Sequence, residues 1–229
     1  YYIKRCIEEH LGNPANYKLI SKAKACTIQS LLSREFGSWL GRFSEDIPEN
    51  ERHYLRTARN KCGDRLSKFR ATVKIHKTPH WSTHKQPLRF RPIVACCGTW
   101  LNCWSKWLDY YLQMLTPFVP TYKKGVQPIL EWLLTIQSLP PWAFLFTSDA
   151  DAMYNNIDTA HAIEVISAWL DQLSTHPNFP ANYPLSAVKS AMATIMKNNH
   201  FEFGDLNFFQ LLGTAMGTSS ACMWATIYY

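Results

Sequence analysis

The chain has 229 residues, 47% hydrophobic and 18% charged, which excludes a disordered polymer and supplies apolar mass for a sizeable core. Its formal net charge is +7, and nearly all of the excess lies in one stretch. Residues 51–91 carry twelve Lys/Arg against two acids, while residues 1–50 carry seven against six and residues 92–229 carry five against nine.

A field that concentrated attracts a polyanion and makes the attraction salt-dependent. Tyr54, Phe69, Trp81 and Phe90 interleave with the charges and could stack on bases, which favours nucleic acid over a merely solvated basic face. Seven cysteines make an odd number without a C-x-x-C pair, and no secretory signal precedes them, so reduced intracellular thiols are expected. The start at Tyr1 and the uncharged ending "CMWATIYY" read as a piece cut inside an element.

In chain order, the first 70 residues read as mainly helical. In "NYKLISKAKACTIQSLLSREF", Leu19, Ile20, Ala23, Cys26, Thr27, Ser30, Leu31 and Phe36 recur at helical spacing. "IPENERHYLRTARNKCGDRLSKF" predicts a second, basic helix interrupted at Gly63. "RATVKIH" then alternates Ala71, Val73 and Ile75 as a strand does, and "LRFRPIVACC" resumes extended character after a proline-containing loop. The two form an expected basic hairpin.

"WLNCWSKWLDYYLQML" predicts a helix stopped by Pro117, and "GVQPILEWLLTIQSL" another closed by Pro140 and Pro141. "AFLFTSDA" is an apolar run of strand length. Asp158 is placed to cap a helix over "TAHAIEVISAWLDQL", whose Ala160, Ile163, Ile166, Trp169, Leu170 and Leu173 form a stripe. "LSAVKSAMATIMKNN" predicts a helix, "HFEFGDLNFFQ" a hairpin around Gly204-Asp205, and "GTSSACMWATIYY" the start of a last helix. Helices and strands mixed without a regular βαβ alternation point to an α+β fold.

Chemistry concentrates at "SDADAMYNNID". Residues two apart on a strand share a face, so Asp149 and Asp151 would stand together while strand geometry lasts. Paired carboxylates repel unless a cation lies near them, and a hard cation such as Mg²⁺ takes carboxylate oxygens while leaving positions for phosphate. A turn or helix-cap role is the simpler alternative, and a glycosidase acid pair fits less well because the carboxyls would stand too close for inversion.

The stretch resembles the first catalytic motif of reverse transcriptases, an Asp at a strand end followed five positions later by an aromatic, here Asp149 and Tyr154. "DADAMYNNI" is most similar to the version in Penelope-like retroelements. The resemblance implies that Asp149 is the catalytic metal-binding acid, helped by the carbonyl of Ala150, with Asp151 as an auxiliary. It implies that Tyr154 is a steric gate against the ribose 2′-hydroxyl. "ATVKIHK" and "RFRPIV" resemble the two fingers motifs, which makes Arg91 the triphosphate arginine and Lys77 its partner, with Lys74 and Arg89 touching nucleic acid. Arg suits a bidentate grip on phosphate, and Lys supplies a point charge.

"QLLGTAMGTSSAC" resembles the second palm motif, giving Gln210 and Met216 nucleic-acid contacts and Gly217 a place beside the nascent base pair. Ala221-Cys222 stands where the family has Ala-Pro. Three competing readings of these stretches are weaker. A phosphate loop at Gly213–Thr218 lacks its Lys, zinc on His76, His80 and His84 is disfavoured by Pro79, and a membrane span over Leu206–Tyr229 carries too many polar residues.

The resemblance covers residues 70–229 and implies a right-hand polymerase, residues 1–98 forming an N-terminal extension and fingers and residues 99–229 an incomplete palm. The implied activity is RNA-directed DNA polymerisation by a retroelement enzyme on two Mg²⁺ ions, with Mn²⁺ as a substitute. An RNA template, a DNA primer and deoxynucleoside triphosphates are the implied partners, and the nucleus the implied location. The family's third palm motif, an aromatic-x-Asp-Asp hairpin, is expected beyond Tyr229, so this piece alone is expected to lack appreciable activity. A non-catalytic nucleic-acid-binding remnant, or a domesticated polymerase-like domain, stays open as the alternative.

Overall fold

The chain opens on helix α1 (Tyr2–Leu11), and its computed structural model describes residues 2–62, 65–74, 90–150 and 152–229. Strand β1 (Tyr17–Ile20) follows, where the sequence spacing predicts the front of a helix. The helix instead begins one residue later as α2 (Lys22–Arg42). Ser21 is extended, and its hydroxyl accepts the Lys24 amide at 3.1 Å, a conventional N-cap. Tertiary pairing outweighs local periodicity here: β1 runs antiparallel to β5 (Leu206–Gln210), with Tyr17 opposite Gln210. Helix α3 (Glu49–Cys62) follows Pro48, with Glu49 and Glu51 in its first turn and Arg59 and Lys61 in its last, the arrangement its dipole favours.

The basic hairpin strands form as expected. β2 (Ser67–Val73) pairs antiparallel with β3 (Phe90–Ala95), with Arg70 opposite Ile93 and Thr72 opposite Arg91. Ile75, His76, Lys77, His80, His84 and Arg89, which carry other expectations for this hairpin, lie outside the described residues, as do Gly63 and Asp151.

Helix α4 (Trp100–Gln113) is capped by the Thr99 hydroxyl and gives way to a 3₁₀ turn, Thr116–Phe118, that contains Pro117. Helix α5 (Gln127–Leu134) ends well before Pro140. Helix α6 (Thr159–Leu173) carries the predicted cap, the Asp158 carboxylate accepting the amides of Ala160 and His161 at 3.0 and 3.1 Å. Helix α7 (Leu185–Lys197), the hairpin of β4 (His200–Phe203) with β5, and helix α8 (Ala221–Tyr228) complete the chain, each where its pattern predicts.

Among the described residues the strands make one five-stranded sheet in the order β1-β5-β4-β2-β3, antiparallel except for the β2–β4 pair. With the surrounding helices this is an α+β fold, the class the sequence predicts. One face of the sheet packs Tyr17, Phe69, Val94, Phe201 and Phe208 against Ile7 and Leu11 of α1. A second, helical core gathers α2, α3, α4, α6, α7 and α8 around Trp39, Trp100, Trp104, Trp107 and Trp224. Truncating a buried Trp of this kind costs about 3–5 kcal/mol, so these indoles anchor the helical half. Residues from both sides of position 98 enter both cores, because α2 and α3 join the helical one while β4 and β5 complete the sheet.

The expected strand at "AFLFTSDA" is corrected. Residues 143–150 adopt no regular structure, and Trp142, Phe144, Leu145 and Phe146 are 81, 83, 86 and 75% exposed. An apolar run becomes a strand only where neighbouring backbone pairs with it. Among the described residues no strand lies against this one. Helix α5 shares the exposure, with Trp132 and Leu134 facing solvent.

Candidate functional site

Three chain segments meet where the sequence places its motifs. The first is the turn after the exposed run. Ala152 sits in the left-handed region at φ 50°, a conformation that costs a non-glycine residue on the order of 1 kcal/mol. Its carbonyl accepts the amides of Asn155 and Asn156 at 2.8 and 3.1 Å. This tight turn sets Tyr154 half-buried against the helical core. Ile157 is fully buried one residue before the Asp158 cap, so α6 and the turn fix each other.

The second segment is the glycine loop, Gly213–Thr218. The Gly213 amide donates to the Ile157 carbonyl at 3.0 Å, the Thr214 amide to the Tyr154 carbonyl at 2.8 Å, and the Thr159 hydroxyl to the Gly213 carbonyl at 3.1 Å. Gly213 has φ +79°, and a methyl group there would overlap the Tyr154 and Asn155 backbone. Only glycine allows so close an approach. The loop continues into Ser219 and Ser220, which bond Asn102 and Ser105 of α4, the Ser220 and Ser105 hydroxyls lying 2.8 Å apart.

The third segment is the outer edge of β3. The Val94 amide donates to the Met216 carbonyl at 2.7 Å, and Gly217, at φ +128°, lies directly on the Val94 carbonyl. One loop therefore touches Tyr154 at one end and, at the other, the strand that carries Arg91 three residues away. Arg91 itself is exposed and shares its sheet face with Lys68, Arg70 and Thr72.

Tyr154 has a partner that the sequence did not announce. Burial, with the neighbouring Cys222 thiol as the smaller cause, pushes its phenol pKa up to about 12. Cys222 is the residue that stands where the resembled family has Pro, on the first turn of α8. Cys222 thus neighbours the tyrosine while standing in the first turn of α8. Composition carried no signal for this, or for Thr159, whose role depends on the fold.

The remaining predicted residues are placed as follows. Asp149 and Ala150 are exposed at the end of the unpaired apolar run, five and four residues before Tyr154. Lys74 directly follows β2 and is half-buried. Met216 is half-buried. Gln210 is 6% exposed, and its amide donates to the Leu212 carbonyl at 2.9 Å, so it shapes the loop entry from inside. Lys77, Arg89 and Asp151 are outside the described residues.

Among the described residues no three His, Cys, Asp or Glu side chains cluster as a metal site, and no helix is long and apolar enough to cross a membrane. All seven cysteines are free. Comparison with family models, with curated proteins and with solved structures finds no match to this chain.

Proposed function

We propose that the chain carries the nucleotide-binding part of an RNA-directed DNA polymerase, handling deoxynucleoside triphosphates on a nucleic-acid template. The observation that carries this reading is the glycine loop, which bonds the Tyr154 carbonyl at 2.8 Å through Thr214 and the Val94 amide at 2.7 Å through Met216. Three motifs far apart in sequence are thereby joined by backbone contacts, as a shared nucleotide site requires.

In this reading the Arg91 guanidinium grips triphosphate oxygens, a task suited to its planar fork. The Tyr154 ring, held by its core packing, sets the space beside the sugar. Gly217, with no side chain to intrude, lets the loop close onto β3 beside that site. Asp149 and the Ala150 carbonyl offer oxygen donors, the class that Mg²⁺ takes. When bound there, Mg²⁺ would supply charge neutralisation for nucleotidyl transfer, in which a primer 3′-hydroxyl attacks the α-phosphorus and pyrophosphate leaves. Little covalent chemistry then falls to side chains, which position the reactants and hold the phosphates.

The test is Mg²⁺-dependent binding of a fluorescent deoxynucleoside triphosphate. Arg91→Ala should weaken it about tenfold, equivalent to about 1.4 kcal/mol. Asp149→Asn should remove the Mg²⁺ dependence. Tyr154→Val should bring ribonucleotide affinity up toward the deoxynucleotide value, while Tyr154→Phe, which keeps the ring, should not. Triphosphate binding that ignores Mg²⁺ and all of these changes would leave a nucleic-acid-binding remnant as the better description.

A further inference from the structure

The sheet face opposite α1 is only partly covered. The β4–β5 hairpin turns Phe201 and Phe208 toward α1, and their neighbours face α2: His200 reaches Gln29 of α2 at 3.0 Å. Past that point α2 no longer covers the sheet, and among the described residues nothing else covers the β2–β3 half of the face, where Lys68, Arg70 and Thr72 are exposed. A groove of about 800 Å³ occupies the gap.

Its walls are basic on both sides. Lys68 and Arg70 project from β2, two residues apart and therefore on one face, while Arg65 stands ahead of the strand and Lys22 on the α2 side. Strand geometry spaces Lys68 and Arg70 by about 6.7 Å, close to the separation of consecutive phosphates along an extended strand. Among the described residues Glu202, 3.5 Å from Lys68, is the sole carboxylate in the lining.

The character of the lining narrows the occupant. No aromatic side chain is among the described lining residues, so nothing there stacks on a base. Four cations without an aromatic ring among them, and Gln29 already engaged by His200, describe a grip on phosphates, which positions a strand without selecting its sequence.

We propose that this groove between α2 and the open face of β2 and β3 binds the phosphodiester backbone of a single nucleic-acid strand, independently of base sequence. It lies largely in the N-terminal part of the chain and uses neither Tyr154 nor the glycine loop. The inference rests on the nucleic-acid half of the function proposed above and not on its polymerase half.

The groove carries its own reporters, since Cys26 and Cys97 line it and both are exposed thiols. Maleimide labelling of the chain should be followed residue by residue by mass spectrometry, with and without oligo(dT) or oligo(rA) of about ten nucleotides. No Mg²⁺ or nucleoside triphosphate is added, so the polymerase reading is not engaged. Either oligonucleotide should slow alkylation of Cys26 and Cys97 severalfold, with the effect lost at high salt. Exposed Cys222, outside the groove, reports binding elsewhere.

Charge reversal on each wall supplies the second measurement. Lys68→Glu with Arg70→Glu, and separately Lys22→Glu with Arg65→Glu, should each lower the slope of log affinity against log salt by about 1.4, roughly 0.7 per lost phosphate contact on a single strand. Oligonucleotide binding that leaves Cys26 and Cys97 at their free rates would overturn the groove while sparing the polymerase reading. Equal protection by inorganic tripolyphosphate, or by anionic vesicles, would overturn the assignment to a strand. Failure of triphosphate binding with Cys26 and Cys97 still protected would sink the polymerase reading alone.

Discussion

The Val94 amide and the Met216 carbonyl, 2.7 Å apart, close the outer edge of the sheet. β3 is the last strand of the five, and an uncovered edge offers unpaired backbone groups to other chains. The glycine loop takes that position without continuing the sheet, because Gly217 turns away at φ +128°. Its neighbour Thr218 adds a second tie, its hydroxyl lying 3.5 Å from the buried Cys96 thiol.

Gly217→Ala should therefore be costly. The added methyl meets the Val94 carbonyl oxygen, and the backbone angle is one that L residues rarely adopt. A loss on the order of 3 kcal/mol is expected, read as a lower urea midpoint. Gly37→Ala is the control: it lies inside α2 with open space around it, and should stabilise by about 1 kcal/mol. A harmless Gly217→Ala would show that the loop does not sit on β3 in solution.

Glu51 is the polar tie between α3 and α4. Its carboxylate accepts the Trp107 indole N–H at 2.7 Å and the Tyr111 hydroxyl at 3.0 Å. Both donors belong to side chains at most 5% exposed, and burial followed by the Glu51 charge raises the Tyr111 pKa far above its usual range. Glu51→Ala strands two donors and should cost about 2–4 kcal/mol, whereas Glu51→Gln keeps an acceptor oxygen and should cost less. Equal urea midpoints for the two variants would contradict this.

Acid should weaken the fold through His200. Burial lowers its pKa from 6.5, against a smaller raising effect of the Asn198 carbonyl. A lowered folded pKa means the unfolded chain binds the proton more readily. The contribution is thus present above 6.5 and is lost as pH falls through that value toward the folded pKa. His10, also lowered by burial, acts in the same direction. The urea midpoint should drop between about pH 7.5 and about pH 5, and His200→Gln should shrink that drop. An unchanged drop in the variant would remove His200 from the account.

The exposed run should govern solubility more than stability. Trp142, Phe144, Leu145 and Phe146 form an apolar surface of the kind that drives association. Phe144→Ser with Phe146→Ser should reduce light scattering at high concentration while changing folding stability by no more than about 0.5 kcal/mol. A marked fall in thermal midpoint would mean that these rings are covered in solution.

Most helices were readable because their apolar stripes meet ordinary caps, as at Asp158 and Thr99. β1 was not, since Leu19 and Ile20 continue the α2 spacing. The local signal that separates them is Ser21 as an N-cap, reinforced by the Asn13-Pro14 turn. The run at residues 143–148 shows the converse limit: composition states a capacity for pairing, and only a neighbouring strand realises it. At the candidate site Tyr154, Gly213 and Gly217 stand in stretches singled out by their resemblance to polymerase motifs, while their backbone contacts with one another emerge only from the fold. Cys222 and Thr159 were not legible, because the groups they touch come from loops far away in sequence.

The pairing of Tyr17 with Gln210 constrains how the molecule comes into being. The second residue set needed by β1 emerges from the ribosome long after β1 itself, and the parallel register of Ser67 with Phe201 imposes a similar wait on β2. Contacts this distant along the chain make folding slow, because loop closure precedes any reward. The helical half, by contrast, can begin to consolidate around α3 and α4 as soon as both have been synthesised. A nascent chain halted before His200 would hold α1, β1 and β2 without the two strands they need, in a state open to chaperones.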